Sequence, residues 1–334
     1  MSTSLIDSVA NTTSHRDRDD LDHAIARLLA QFLDADAVTL YRLIDDKDAK
    51  RLKRIVAVTR DNKERVSGST EPLSRLPAWD SVPAWLDCIA GQKATEYTSE
   101  HGKSRSVLPI ANDRAVVGIL EIETAAGLQA RDAGLVEGIL RILKNHLALL
   151  DYGESDTLTG LLNRKTFESR FDKLRVTSGV LSKDEPSWLG IVDIDKFKSI
   201  NDNFGHLFGD EVLLLVARLL RSAFRGTDQL FRFGGEEFVI VLDRASRPGA
   251  QIAFNRLRSR VEQFAFPQVG TVTISLGYTH IDPQDAPGVC LERADTALYY
   301  AKHHGRNNVQ RYEDLIASGE LKAKKSEVND IELF

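Results

Sequence analysis

The chain has 334 residues, of which 42% are hydrophobic and 28% are charged, and it carries a net charge of -5 at pH 7. This length suits two domains, each large enough to bury its own core, and the composition excludes a fibrous protein and a chain that is disordered throughout. The negative charge argues against a protein that coats nucleic acid nonspecifically.

The sequence contains two cysteines, Cys88 and Cys290. They exclude a disulfide framework and a cysteine-built zinc site, and they suit a reducing compartment. No apolar run approaches the roughly 18 residues of a membrane span, and the N-terminus lacks the basic and then apolar pattern of a signal peptide. We therefore predict a cytoplasmic protein without a membrane or nucleic-acid partner.

The first half of the chain is predicted to be an α+β domain behind a mobile leader. Residues 1–18 are polar and lack a sustained period, whereas helical and strand periods follow them. The predicted elements are a helix at 21–32 and strands at 37–44, 52–59, 106–111 and 115–123.

A long helix is predicted at residues 131–150. Its seam positions recur at alternating spacings of four and three residues, and they are the apolar Leu135, Ile139, Ile142 and Leu149 together with His146. This spacing is typical of the seam between two helices, so we expect the helix to pair with its own copy in a homodimer. His146 is interpreted as a packed residue or a polar mark of register rather than a metal ligand.

The segment DYGESD, residues 151–156, breaks the helical pattern and is the predicted domain boundary. Helices and strands alternate after it, which predicts a sheet covered by helices. The predicted helices are 164–174, 211–224, 251–264 and 291–303, and the predicted strands are 188–194, a hairpin at 231–242, and 271–279. Residues 313–334 are predicted to be a polar tail.

The hairpin FRFGGEEFVIVL, residues 231–242, places Gly234, Gly235, Glu236 and Glu237 between two strand-like stretches. Two glycines suit a tight turn and also let a ligand approach the backbone. Adjacent carboxylates repel unless a cation or a base neutralises them, and Mg²⁺ is bound through one or two carboxylates plus substrate phosphates. Taken alone, the stretch is better explained as an ordinary solvated turn.

Two further acids stand at the end of a predicted apolar strand. Asp193 and Asp195 are two residues apart, so their side chains point to the same face. Together with the hairpin acids Glu236 and Glu237 they indicate a carboxylate cage for a metal ion. A single acid at this place would indicate only a polar strand end.

Five blocks of the second half carry a family resemblance. They are DTLTGLLNR (156–164), DIDKFKSINDNFGHLFGDEVL (193–213), RGTDQLFRFGGEEF (225–238), TISLGYT (273–279) and ADTALYYAKHHGRN (294–307). In this order and spacing they resemble the GGDEF family, the diguanylate cyclases, over about residues 154–312. The resemblance implies a palm-like domain of the nucleotidyl cyclase type. It also implies that two GTP molecules are condensed into cyclic di-GMP with release of two pyrophosphates.

The same resemblance implies a Mg²⁺ or Mn²⁺ site at the hairpin. Asp193 and Glu236 resemble the metal ligands of the family, joined by the backbone carbonyl of Ile194. Glu237 would assist a second ion or activate the 3′-hydroxyl of the substrate. These acids are therefore the expected catalytic residues.

The substrate contacts implied by the resemblance surround this site. Asn201 and Asp210 resemble the pair that reads guanine, and their side chains suit a purine edge, although either could instead cap a helix. An Asp at position 210 favours GTP over ATP, because relatives that accept both tend to have Ser there. The remaining expected contacts are Leu213 as an apolar wall, the amides of Lys196 and Phe197 and the side chains of Lys302 and Arg306 for the phosphates, and Gly234 and Gly235, which leave room for the nucleotide.

An inhibitory site for the product is also implied. Arg225 and Asp228 match the RxxD motif that precedes the glycine turn in many members of the family and binds dimeric cyclic di-GMP. Arg256 is expected to belong to the second half of that site. The alternatives are a surface ion pair for the first two residues and a solvated side chain for the third.

The first half resembles GAF sensory domains in its order of helix, strands, irregular section, strands and closing helix, with residues 106–124 as the best local match. We expect a GAF-like domain at 19–150, ending in a signalling helix, and the GGDEF domain at 151–312. Cys88 is expected to pack in the core rather than to hold a chromophore.

Three rival functions compete with an active cyclase. The second half could be a catalytically idle receptor of cyclic di-GMP or a vestigial domain in a dimerisation protein, but idle members usually lose metal or turn residues and none is lost here, which favours an active cyclase. An enzyme with a different nucleotide product remains open.

Overall fold

The computed structural model describes residues 4–46, 49–61, 63–66, 75–99, 101–112, 115–178 and 186–321. The chain divides into two compact units. The first comprises Met1–Ser155 and the short segment Arg225–Thr227, and the second comprises Asp156–Phe224 and Asp228–Phe334. No helix within the described ranges is both long and apolar enough to cross a membrane.

The N-terminal unit is built on a six-stranded antiparallel sheet. Its helices are α1 Leu5–Thr12, α2 Arg18–Phe32, α3 Pro83–Gly91 and α4 Ala130–Glu154, and its strands are β1 Ala37–Asp46, β2 Ala49–Thr59, β3 Glu64–Val66, β4 Thr95–Thr98, β5 Ser104–Ala111 and β6 Val116–Thr124. The strand order is β3-β2-β1-β6-β5-β4. The two predicted helices and the four predicted strands of this half are confirmed as elements, whereas α1, α3, β3 and β4 were not predicted.

Both faces of this sheet are covered. Leu120 and Ile122 of β6 belong to the core beneath α2 and α4, whereas Ile119 belongs to the smaller core beneath α3. Such alternation follows from the two-residue period of a strand. Cys88 lies in the smaller core, where burial raises the pKa of its thiol to about 12, so the prediction of a packed cysteine is confirmed.

The expected mobile leader contains a helix. Ser4 caps α1 by accepting a hydrogen bond from the Asp7 amide at 3.1 Å, and Leu5 and Val9 pack against the core of the N-terminal unit. These two residues lie one helical turn apart on the same face, so their packing and the N-terminal cap stabilise the short amphipathic helix. Residues 5–12 of the predicted leader are therefore helical and packed against the core.

Helix α4 continues to Glu154, beyond the predicted end at residue 150. Arg18 bonds to Asp151 and, at 3.1 Å, to Glu154, which holds the last turn in helical form. The boundary between the two units consequently falls after Ser155.

The predicted seam of α4 is used in part by the unit's own core. Ile139 is buried, and His146 is buried with its Nε2 at 2.9 Å from the carbonyl oxygen of His15. Leu149 is 68% exposed, and Tyr152, one turn further along, is 76% exposed. The C-terminal part of the helix therefore retains an uncovered apolar strip.

The C-terminal unit is built on a second six-stranded sheet with helices on both faces. Its helices are α5 Arg164–Ser178, α6 Phe197–Phe204, α7 His206–Ala223, α8 Arg247–Gln263, α9 Pro287–His303 and α10 Tyr312–Ala317, and its strands are β7 Leu162–Asn163, β8 Ser187–Ile194, β9 Gln229–Gly234, β10 Glu237–Leu242, β11 Ala265–Phe266, β12 Gly270–Thr271, β13 Ile274–Ile281 and β14 Val309–Arg311. The order is β14-β13-β8-β10-β9-β7, parallel at its two outer pairs and antiparallel between them. Strands β11 and β12 form a separate hairpin.

The core of this unit has two layers. Trp188, Val192 and Ile194 of β8 pack with α6, α7 and α8 on one face, and Leu189 and Ile191 pack with α5 and α9 on the other. The predicted strands and helices are confirmed as elements, although α7 begins five residues earlier than predicted. The predicted polar tail begins within α10, and residues 322–334 lie outside the described part of the chain.

Candidate active site

The central strands of the C-terminal unit bring acids from two chain segments together. Asp193, near the end of β8, is directly opposite Glu237 in the antiparallel register with β10. Glu236 and Gly235 form the two-residue loop that joins β9 to β10. Three carboxylates therefore lie at the same end of neighbouring strands.

A lysine from α9 completes this cluster. Lys302 Nζ lies 2.7 Å from Oδ2 of Asp193, whose side chain is 5% exposed. Lys302 can reach this point because α9 lies very close to β13, where Gly277 offers no side chain to separate them.

The carboxylates perturb one another electrostatically. Burial raises the pKa of Asp193, the charges of Glu237 and Asp195 raise it further, and the Lys302 ammonium opposes the change. The pKa of Glu236 is raised by burial and by the charge of Asp193, again against Lys302. A cation bound among these groups would relieve both the burial cost and the repulsion.

The donor chemistry fits a hard divalent cation. Carboxylate and carbonyl oxygens are the ligands that Mg²⁺ takes, with water and substrate phosphates filling the remaining positions. Within the described ranges, no three His, Cys, Asp or Glu side chains are arranged as a complete ligand set.

Asp195 has a different environment from Asp193. Its Oδ1 accepts a hydrogen bond from Ser275 at 2.6 Å, and its Oδ2 accepts from the Thr273 hydroxyl at 2.7 Å and from the Asn307 amide at 3.1 Å. Both oxygens are thus engaged in tying β8 to the start of β13 and to the turn after α9. A metal-binding role of Asp195 stays a prediction, whereas its role in holding these segments together follows from its hydrogen bonds.

The glycine turn is held from one side and open on the other. Arg232 donates to the Gly235 carbonyl at 3.2 and 2.9 Å and to Asp156 at 3.0 Å. Burial raises the pKa of Asp156, but hydrogen bonds from Thr159 and Arg232 outweigh it and hold that pKa below the usual range. A Cβ added to Gly234 or Gly235 would meet nothing within 4 Å, so space for a ligand lies beside the turn.

Two basic residues line a neighbouring cleft of about 400 Å³. Lys196, at the N-terminus of α6, and Arg306, after α9, both have left-handed backbone conformations, with φ of 57° and 59°. No hydrogen bond or ion pair within the described part of the chain holds the Arg306 guanidinium. The hydrogen bond that the Asn307 amide donates to Asp195 fixes the turn that carries this arginine.

The expected guanine-reading residues do not act as helix caps. Asn201 and Asp210 are each the fifth residue of their helices, α6 and α7. The Asn201 carboxamide lies against the first turn of α7, next to Gly209. Leu213, expected as an apolar wall, lies in the hydrophobic core with 2% of its surface exposed.

The three expected inhibitory residues have partners of different kinds. Asp228 accepts a hydrogen bond from the Asp243 amide at 3.3 Å, and Arg256 donates to the Ala223 carbonyl at 2.6 Å, near the C-terminal end of α7. Arg225 is exposed. Product binding at these residues stays a prediction.

The residues that sequence reasoning missed hold the site in place. Arg232 meets Asp156 across 76 residues of sequence, and Asn307 meets Asp195 across 112. Asp156 and Asn307 stand at the outer ends of two of the recognised blocks, which is the signal that marks them. Their partners are set by the tertiary fold and not by local spacing.

Comparison with known proteins identifies the part of the chain that carries this geometry. The sequence model of the family described as "Diguanylate cyclase, GGDEF domain" matches residues 154–308. These residues form a GGDEF domain.

Two curated relatives and a solved structure are similar to it. Diguanylate cyclase DgcP of Pseudomonas aeruginosa is 39% identical over 159 residues, which cover 47% of this chain and 23% of DgcP. Diguanylate cyclase A of Treponema denticola is 32% identical over 215 residues, which cover 60% of this chain and 58% of the relative. The crystal structure of the coiled coil and GGDEF domain of DgcB from Caulobacter crescentus, in complex with c-di-GMP, has a TM-score of 0.48 at 28% identity and covers 55% of this chain and 100% of that one. The chain thus spans less than two thirds of the length of the curated relatives it matches.

Proposed function

We propose that the protein is a GTP-dependent diguanylate cyclase, which condenses two GTP molecules into cyclic di-GMP and two pyrophosphates. The observation that carries the proposal is the meeting of Asp193, Glu236, Glu237 and Lys302 at one end of the central strands of the GGDEF domain. Curated relatives of this domain bear the name diguanylate cyclase.

The acids of the hairpin would hold a divalent metal and a base. A Mg²⁺ or Mn²⁺ ion bound by Asp193, Glu236 and the Ile194 carbonyl would supply charge neutralisation at the α-phosphate and the leaving pyrophosphate. Glu237, exposed and directly opposite Asp193, is placed to take the proton of the attacking 3′-hydroxyl or to assist a second ion. In each of two such steps a bond forms from the 3′-oxygen to the α-phosphorus and the bond to pyrophosphate breaks.

Basic groups would position the triphosphate. Lys302 lies in the last turn of α9, and Arg306 lies just after that helix. The amides of Lys196 and Phe197 lie at the N-terminus of α6, where the backbone N–H groups of a helix have no intrahelical partners. Asp193 already holds Lys302 at the edge of the site. The substrate phosphates would thus meet positive groups from two elements.

The pair Asn201 and Asp210 would select guanine. A carboxylate accepts hydrogen bonds from the ring N–H and amino group of guanine, whereas adenine presents an acceptor at the same ring position. Leaving these polar groups unpaired would disfavour ATP. We therefore expect GTP to be the preferred substrate.

Catalysis would require two copies of the chain. Each domain is expected to hold one GTP, so the two must face each other in a homodimer. The exposed side chains of Leu149 and Tyr152 on α4 are the proposed contact between copies. Activity per mole of enzyme should then rise with enzyme concentration, and an obligate monomer with full activity would refute the requirement.

The N-terminal unit would regulate the enzyme as a GAF-like sensory domain. Its antiparallel sheet with helices on both faces, leading into the long helix α4, supports this role. Arg225, Asp228 and Arg256 would bind cyclic di-GMP as a feedback inhibitor. Arg225→Ala should relieve inhibition by added product, and unchanged inhibition would remove this residue from the inhibitory site.

The proposal is tested by incubating the full chain with Mg²⁺ and GTP, and separately with ATP, and identifying the products by mass spectrometry. Glu236→Ala should abolish cyclic di-GMP formation, whereas Glu168→Ala, which removes an exposed glutamate on α5, should not. Circular dichroism should show that both variants keep the fold. A wild-type protein that binds cyclic di-GMP and forms no product from GTP would instead be the idle receptor.

A further inference from the structure

Gly209 occupies a position in α7 where glycine brings no advantage to the helix itself. It is the fourth residue of that helix, it is buried, and its φ is not in the positive range that favours glycine. A glycine at such a position destabilises a helix relative to alanine. The reason for glycine must therefore lie in what surrounds it.

The surroundings contain one of the expected guanine-reading residues. A Cβ built on Gly209 would overlap Oδ1 of Asn201 and would lie 3.1 Å from its Cγ and 3.2 Å from Cζ of Phe197. The carboxamide of Asn201 thus occupies the space that a side chain at position 209 would fill. Asp210, the other expected reader, follows directly in the chain.

The conflict at Gly209 differs in kind from the one at Gly277, and Gly288 has no such conflict. At Gly277 an added Cβ would meet backbone atoms of α9, which cannot rotate away, and at Gly288 it would meet nothing within 4 Å. At Gly209 the overlapping atom is the end of a rotatable side chain. The easiest relief is a rotation of Asn201 with both helices left in place.

We propose that Gly209 is a specificity-determining position, because its missing side chain sets the orientation in which Asn201 stands beside Asp210. The inference rests on the proposed function, since it concerns how the same site recognises the guanine base. Gly209 itself would touch no substrate and would act through Asn201.

The chemistry of the pair explains why orientation matters. An Asn side chain offers both an acceptor and donors, whereas an ionised Asp offers only acceptors. A rotated Asn201 would no longer present the correct atom to the base, and a site with unpaired polar groups binds its ligand less tightly. The loss should affect GTP more than ATP, because the wild-type arrangement is matched to guanine.

The test measures nucleotide binding by the full chain, using calorimetric titration with 3′-deoxy-GTP and 3′-deoxy-ATP in the presence of Mg²⁺. These analogues lack the hydroxyl that would attack, so binding is separated from turnover. Gly209→Ala should weaken 3′-deoxy-GTP binding about tenfold, as expected for the loss of one base contact, and should reduce the preference over 3′-deoxy-ATP. Gly288→Ala is the matched control and should leave the Kd unchanged.

A double variant tests the route through Asn201. If Gly209 acts only by placing this side chain, Gly209→Ala combined with Asn201→Ala should bind no more weakly than Asn201→Ala alone. Additive losses would overturn the proposal, and so would wild-type affinity in Gly209→Ala. If Gly209→Ala unfolds, Asn201→Ala should restore its thermal unfolding midpoint, and failure to do so would also overturn it. Wild-type protein that does not bind 3′-deoxy-GTP at all would count against the proposed function instead.

Discussion

Replacing Gly277 with alanine should separate the two elements that bring Lys302 to Asp193. Gly277 is buried on β13, opposite Ile191 of β8. An added Cβ would lie 2.7 Å from the carbonyl carbon of Ala297 and would overlap a backbone nitrogen and a backbone oxygen of the same helix, α9. Since backbone atoms cannot rotate away, the helix as a whole must shift.

Gly277→Ala should destabilise the C-terminal unit. Overpacking a core costs typically about 1–3 kcal/mol, and more where the neighbours cannot move, so Gly277→Ala belongs at the upper end. For a unit of this length, 3 kcal/mol corresponds to a decrease in Tm of roughly 6–12 °C. A shift of α9 would also lengthen the 2.7 Å contact between Lys302 and Asp193, leaving a buried carboxylate without its cationic partner.

The measurements are thermal unfolding by calorimetry and hydrogen exchange by mass spectrometry on the full chain. Peptides from β13 and α9 should exchange faster in Gly277→Ala, whereas peptides from β5 of the N-terminal unit should not change. Cyclic di-GMP formation should fall with the loss of the Lys302 contact, and Gly288→Ala should behave as wild type. A Gly277→Ala protein with wild-type Tm and wild-type activity would show that close packing of α9 on β13 is unnecessary for the site.

Three further outcomes follow from side chains near the site and at the far edge of the sheet. Asp195→Asn should lower the free energy of unfolding by about 2 kcal/mol in urea titrations, because it weakens the buried hydrogen bonds of this side chain, including the one from Asn307. The Mg²⁺ dependence of the rate should stay unchanged, and a higher Mg²⁺ requirement would instead show that Asp195 is a metal ligand. The pKa of His280 is raised, chiefly by its hydrogen bond to Glu313. Its contribution to stability is therefore complete below pH about 6.5 and is lost as the pH rises through the raised pKa. His280→Gln should flatten that part of the Tm profile, and an unchanged slope would contradict the assignment. Arg232→Lys should keep the fold and reduce turnover at least about tenfold, because an ammonium cannot reproduce the three hydrogen bonds by which the planar guanidinium fixes the hairpin. Unchanged turnover would show that the hairpin does not need these bonds.

The long elements of both units could be predicted from sequence because their apolar periods are local. Strand β8 is buried at every residue and helix α7 buries one face, so a continuous apolar run or a helical period is present within each segment itself. The two-residue strands β7, β11 and β12 are too short to carry any period. Such elements exist because the fold brings their partners alongside.

The pair Asp193 and Asp195 shows where spacing stops being informative about a site. A two-residue interval predicts that both side chains point to one face of a strand, but β8 ends at Ile194, and the interval does not say what each acid will meet. Lys302 of α9 and Glu237 of β10 approach one acid, and the hydroxyls of Thr273 and Ser275 bond to the other, although all four residues are distant from these acids in the chain. The family resemblance identified Asp193 as a site residue. The structural role of Asp195 depends on tertiary contacts that the sequence does not show.

The unfavourable electrostatics of the hairpin are best understood as a requirement of the proposed chemistry. Asp193, Glu236 and Glu237 bring three negative charges to one end of the sheet, and Lys302 returns one positive charge to them. The balance of two negative charges is what a single divalent cation neutralises, and the raised pKa values of Asp193 and Glu236 reflect the cost of leaving it unneutralised. A sequence selected for stability alone would have no reason to keep a buried Asp193 beside two acids that repel it, whereas a site that must hold a metal and a triphosphate has to accept that cost.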